Sequence, residues 1–157
     1  MSKTDFYFMD LAIEEAKKSI AEGGIPIGSI LTLDDKVIAK GHNKMLQENS
    51  PILHGEIDAI NNAGLLNSED YKKSTLYTTL SPCPMCAGAI IMYNIPKVVI
   101  GENTTLKGAE NLLKKNNVEV VNLNLEKIKN LFEDFQKNND LWQKELERVS
   151  NSTEIDI

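Results

Sequence analysis

Thr75-Leu76-Tyr77-Thr78-Thr79-Leu80-Ser81-Pro82-Cys83-Pro84-Met85-Cys86-Ala87-Gly88-Ala89-Ile90-Ile91-Met92-Tyr93 reads as a strand running directly into a helix. Thr75 to Thr79 is rich in β-branched and aromatic side chains. Pro82 or Pro84 then opens a helix, because proline's fixed φ and missing N–H suit a first helical turn. That helix carries Cys83, Cys86, Ile90 and Tyr93 and is expected to stop at Asn94-Ile95-Pro96, where the proline ends helical backbone. Two cysteines in the first turn of a helix sit at the positive end of its dipole, which favours thiolate over thiol.

Working outward, Val98 to Gly101 and Val118 to Val121 are further β-prone runs, with a helix expected over Lys107 to Lys115 between them. A helix separating two strands of one sheet implies parallel pairing through a crossover. Upstream, Phe8, Leu11, Ala12, Ala16 and Ile20 give Asp5 to Ala21 a helical period, with Gly23-Gly24 placed to end it in a left-handed conformation. Ser29 to Leu33 and Val37 to Lys40 read as a hairpin joined by Asp34-Asp35-Lys36. After Pro51 a helix should begin near His54 and continue through Ile57, Ile60 and Ala63 to Gly64. A last helical stretch from Asn124 to Phe135 and a short turn or helix carrying Trp142 complete the pattern. The fold class is α/β: a three-layer α/β/α sandwich with a mixed five-stranded sheet whose hairpin supplies the antiparallel part. Residues 1–149 are expected to form a single domain, and the polar segment 150–157 a disordered tail.

The chain holds two histidines and two cysteines. His54-Gly55-Glu56 and Pro82-Cys83-Pro84-Met85-Cys86 together take one of the former and both of the latter. An imidazole and two thiolates suit a tetrahedral zinc ion, and three protein ligands leave the fourth position for water. Glu56, two residues past His54, is a carboxylate placed to move the protons of a hydrolysis. Each part has a duller reading. Cys-x-x-Cys at a strand-to-helix junction is also a dithiol redox arrangement, though it would leave His54 and Glu56 without a task. A purely structural zinc would need a fourth ligand, for which His42 is the spare histidine. Met85 and Met92 read most simply as core fillers, Asn43 as a strand terminator, and Trp142 as a core anchor for the final helix.

The run Leu76 to Tyr93, together with Gly23-Gly24-Ile25-Pro26-Ile27-Gly28, Gly41-His42-Asn43, Leu53-His54-Gly55-Glu56-Ile57 and Gly101-Glu102-Asn103, resembles the cytidine and nucleobase deaminase superfamily. Within it the chain is most similar to the small fungal-type cytosine deaminases, from about Met9 to Trp142. The resemblance implies one zinc ion per chain on His54, Cys83 and Cys86, with Glu56 as the catalytic acid and base. It implies hydrolysis of a cyclic amidine C–N bond in a free nucleobase, cytosine to uracil plus ammonia, with Asn43, Gly55 and Ser81 contacting the base. Guanine, another aminated ring and adenosine within tRNA are the alternative substrates of relatives with the same motif, in which Ala is usual where this chain has Gly55. Leu106 stands where the fungal enzymes have an aromatic cover, Trp142 matches their C-terminal tryptophan, and Glu145 occupies the place of their substrate-binding aspartate. Relatives also form symmetric dimers through helices near the metal, so a homodimer is expected.

Bulk properties suit a small enzyme of 157 residues, 41% hydrophobic and 25% charged. A net charge of −6 disfavours a polynucleotide partner, which needs a cationic surface. The Lys72-Lys73 and Lys114-Lys115 pairs read as solvated surface. The longest apolar stretch, Ala87 to Tyr93, is too short to cross a bilayer. The N-terminus lacks the basic-then-apolar layout of a secretion signal, and a cytoplasmic location with reduced cysteines is expected.

Overall fold

Ile30 and Leu31, Leu76 and Tyr77, and Val98 and Val99 are adjacent in sequence yet belong to different cores, because successive strand side chains leave opposite faces of a sheet. In the computed structural model of the protein, which describes residues 1–149, this alternation lies on one mixed sheet. Its strands are β1 (Gly28–Leu33), β2 (Lys36–His42), β3 (Ser74–Leu80), β4 (Lys97–Glu102) and β5 (Glu119–Asn122), in the order β2-β1-β3-β4-β5. β1 pairs antiparallel with β2 and β3, whereas β3–β4 and β4–β5 are parallel. The hairpin turns on Asp34 and Asp35 alone, both at positive φ, and Lys36 already pairs with Leu33.

Helices cover both faces. On one, α1 (Lys3–Ala21) and α6 (Glu126–Asn138) pack Phe8, Met9, Ala12, Ile13 and Ile128 against Ile30, Tyr77 and Val99. On the other lie α2 (Gly55–Ala63), α3 (Ser68–Lys72), α4 (Pro84–Met92) and α5 (Glu110–Lys115), burying Ala59, Tyr71, Ala87, Ile90 and Leu113 against Leu31, Leu76, Val98 and Ile100. A third cluster, with Ile25, Ile27, Leu80, Phe132, Phe135 and Trp142, forms at the C-terminal end of β3, where α7 (Leu141–Arg148) joins it. The α/β/α sandwich expected from the sequence is therefore present.

Several boundaries depart from the sequence reading for identifiable reasons. Helix α3 was not expected; it is a single short turn started by the Asn67 side chain, which accepts from the Asp70 N–H. Helix α5 begins at Glu110 rather than Lys107, because Ala109 N–H donates to Pro82 O at 2.8 Å and Gly108 is pressed so close that a methyl would come 2.0 Å from the same oxygen. Helix α6 starts after Asn124, which adopts φ 50°. Met92 is 72% exposed and Met85 also reaches the surface, so neither is a core filler. The 150–157 tail lies outside the described residues. Among those described, no helix is long and apolar enough to cross a membrane.

Helix α1 is fastened at its start by a capping box in which Ser2 and Asp5 exchange hydrogen bonds. Asp5 Oδ1 also accepts from the Tyr77 hydroxyl at 3.0 Å and lies 3.6 Å from Lys97 Nζ, tying the helix to β3 and β4.

Candidate active site

His54 and Cys83 are the N-cap residues of α2 and α4, both with extended backbone and neither capping its helix with its side chain. Their side chains are thus left to meet one another, and Cys86 joins them from the first turn of α4. Cys83 Sγ is 3.4 Å and Cys86 Sγ 3.6 Å from His54 Nδ1, and the three ligand atoms lie within 4.8 Å of one another. A nitrogen and two sulfurs converging this closely fit a borderline-soft cation such as zinc. Among the described residues no fourth His, Cys, Asp or Glu completes the group. His42 in particular is engaged elsewhere, with Nδ1 3.0 Å from Glu15 Oε2 and Nε2 2.9 Å from Glu22 Oε2. The trio therefore has the composition of a catalytic zinc site with an open position.

Charge in the cluster is strongly coupled. The hydrogen bond from the Cys86 thiol, with further help from His54, outweighs burial and brings Cys83 down to about 4. The same contact with Cys83, then burial and the Glu56 charge, pushes Cys86 well above a normal thiol. Both sulfurs bind a metal as thiolates, so an arriving cation would displace any thiol proton of the pair. Burial pulls His54 towards neutrality, but the bond to Cys83 and the charges of Cys83, Glu56 and Glu145 outweigh it and raise its pKa. Glu56 is buried; burial first, and the Cys83 thiolate second, raise it above an ordinary carboxyl. Its Oε2 lies 3.5 Å from Cys86 Sγ and its Oε1 3.2 Å from Thr78 Oγ1.

The cluster opens into a cavity of about 380 Å³ whose lining includes Asn43, His54, Glu56, Ser81, Cys83, Leu106, Trp142 and Glu145. Segments far apart in the chain thus meet in one space. Gly55 is not part of the lining; it is buried behind it, where a methyl would come 3.2 Å from Ile27 O. Asn43 Oδ1 accepts from Met45 N–H at 3.1 Å, and its backbone carbonyl accepts from Ser19 Oγ and Gln47 Nε2. The Ser81 hydroxyl donates to Glu110 Oε1 at 2.8 Å and accepts from Gly108 N–H at 2.9 Å. Trp142 packs edge-on against Phe132, centroids 4.9 Å apart, so it is a core anchor and a cavity wall at once. Glu145 is buried, and its Oε2 has no hydrogen-bond partner among the described residues. Arg148 Nε stands 3.5 Å from that oxygen, an ion-pair distance without hydrogen-bond alignment.

Sequence reasoning missed the cavity walls given by Ile27, Met45, Pro51, Leu80 and Leu146. Plain apolar residues carry no chemical signature, and a fold is needed to gather them. It also missed Glu110, whose hold on Ser81 spans 29 positions.

Residues 2–102 match the family described as the cytidine and deoxycytidylate deaminase zinc-binding region. The chain belongs to this deaminase family. It is therefore a zinc-dependent hydrolytic deaminase, and the redox reading of its cysteines is set aside. The deaminase is 56% identical over 117 residues to a cytosine deaminase of Candida albicans, covering 74% of this chain and 78% of that protein. It is 40% identical over 108 residues to a tRNA-specific adenosine deaminase of Streptococcus pyogenes, covering 68% of each. Among solved structures it matches one from work on A-to-I editing by tRNA A34 deaminases, at 29% identity and a TM-score of 0.63, covering 74% of this chain and 97% of the other.

Proposed function

We propose that this deaminase hydrolyses free cytosine to uracil and ammonia. The observation that carries the reading is the 56% identity to a cytosine deaminase, combined with a cavity beside the metal trio that is lined by Asn43, Glu56, Ser81 and Glu145. At about 380 Å³ the cavity falls in the range of small-molecule sites.

His54, Cys83 and Cys86 would hold the zinc. When bound, the metal supplies an activated water as nucleophile. Glu56 takes a proton from the attacking water and places it on ring N3, which makes C4 electrophilic and lets it become tetrahedral. The remaining hydroxyl proton passes through Glu56 to the amino group, the C4–N bond breaks, ammonia leaves and C4 keeps the oxygen as a carbonyl. One carboxylate serves as both acid and base. Asn43, with Oδ1 committed to Met45, has its Nδ2 donor to give to the exocyclic carbonyl of the base. Ser81, its hydroxyl occupied by Glu110 and Gly108, offers its backbone carbonyl to the departing amine. Glu145 supplies an acceptor for a ring N–H, and Leu106 and Trp142 cover the ring.

We further propose one domain over residues 1–149, a cytoplasmic location and a homodimer built through α4. Support for the dimer comes from that helix, where Met85, Gly88 and Met92 form an exposed stripe on an otherwise apolar segment.

Ammonia release from cytosine, cytidine, guanine, adenine and an RNA hairpin tests the substrate. Cytosine is expected to be the preferred substrate, and turnover of guanine or the hairpin without cytosine would overturn the reading. In the same assay Glu56→Gln should keep its zinc and lose about 10²–10⁴-fold in turnover.

A further inference from the structure

Thr78 occupies the middle of β3 with its side chain fully buried, between Leu76 and Leu80 on the same strand face. Valine would have the same shape and β preference there without a polar group to desolvate. The hydroxyl therefore needs partners, and it has two: Glu56 Oε1 and the carbonyl of Leu80, each at 3.2 Å. The other Glu56 oxygen faces Cys86 Sγ, whose proton is lost when the sulfur becomes a metal ligand. Beside the Glu56 backbone N–H, Thr78 is then the side-chain donor that orients the carboxylate, among the described residues.

We infer that Thr78 is a positioning residue for Glu56: its hydroxyl, held on the rigid central strand, sets the direction in which the carboxylate presents its oxygens to the water and the base. The inference rests on the deaminase role of Glu56 proposed above. A hydroxyl suits the task better than an amide or a cation, because it can donate to a carboxylate and can also turn its proton to Leu80 O and accept from a carboxylic acid. Thr78 touches no reacting atom and acts only through Glu56.

The test uses zinc-loaded Thr78→Val and Thr78→Ser, assayed on whichever base of the panel the wild type deaminates. A substrate other than cytosine would then overturn the functional reading without touching this one. Thr78→Val is expected to lower kcat about 10- to 100-fold, the scale of a misplaced catalytic group, with KM within about twofold, one zinc per chain and an unchanged melting temperature. Thr78→Ser, which restores the hydroxyl but not the methyl, should return kcat to within about threefold of wild type. Wild-type kcat in the valine variant, or a serine variant as impaired as valine, would overturn the proposal. So would a kcat loss that tracks lost zinc. A crystal structure of Thr78→Val gives a readout independent of turnover: the Glu56 carboxylate should rotate away from its present direction, and an unmoved carboxylate refutes the assignment.

Discussion

Glu145 offers the sharpest quantitative prediction, because its effects on binding and on stability are expected to diverge. Glu145 is only 6% exposed, and one oxygen of its carboxylate lacks a hydrogen-bond partner among the described residues. A ring N–H supplied by the substrate would satisfy that oxygen. Hydrogen bonds to charged groups contribute about 1.5–3 kcal/mol net, against about 0.5–1.5 for neutral ones. Glu145→Gln, which keeps the shape and a weaker acceptor, should therefore lose about 1–1.5 kcal/mol of transition-state stabilisation, or roughly 5- to 10-fold in kcat/KM. Glu145→Leu, which removes the acceptor, should lose about 1.5–3 kcal/mol, or roughly 10- to 150-fold. The substrate-free protein should respond differently. Replacing a buried, partly unsatisfied carboxylate by an apolar group is neutral or stabilising, so the melting temperature of Glu145→Leu should hold or rise. Steady-state ammonia release and thermal unfolding of the three proteins measure both quantities. A leucine variant within twofold of wild type in kcat/KM would refute the substrate role, and one with a sharply lowered melting temperature would show that the carboxylate is structural.

Other expectations concern the metal, the acid limit of stability and the dimer. Chelation should abolish turnover and open Cys83, which lines the cavity, to a thiol reagent, and added zinc should restore activity and protect it; activity that survives metal removal would contradict the mechanism. Burial opposes charge on Asp5, but the Ser2 N–H, the Tyr77 hydroxyl and Lys97 outweigh it and lower its pKa below 3.8. A depressed folded-state pKa contributes stability that is fully present above the unfolded value and is lost as pH falls through the folded one. Asp5→Asn should therefore lower the denaturation midpoint at pH 7, with the gap to wild type closing as the pH falls through the depressed folded-state pKa of Asp5; a gap independent of pH would refute the electrostatic account. Met92→Lys should leave a monomer in sedimentation where the wild type runs as the proposed dimer, since a charge would fall in the apolar stripe of α4, and an unchanged mass would place any interface elsewhere.

The layered architecture was legible because short β-prone runs are separated by helical periods, and each strand then feeds the two cores on either side of the sheet. Ile30, Tyr77 and Val99 serve one core while Leu31, Leu76, Val98 and Ile100 serve the other. The metal trio was legible because its donors are rare residue types at helix starts. What the sequence concealed depends on contacts between distant positions. Thr78 looks like any strand threonine until Glu56 is brought beside it, and His42 looked like a spare ligand until Glu15 and Glu22 enclosed it. Met92 was misread because an apolar residue on an apolar helix carries no mark of which side faces out, and periodicity cannot supply one when the whole segment is hydrophobic.

The three donors hang from the starts of α2 and α4, helices already seated on a five-stranded sheet between two apolar layers. Little chain ordering waits for the ion, in contrast to small zinc domains that are unfolded without it. The protein is in this sense a socket prepared in advance. The spacing of the three donors is set by how α2 and α4 pack on the sheet, so a substitution that loosens either helix start would be felt first as weaker zinc binding.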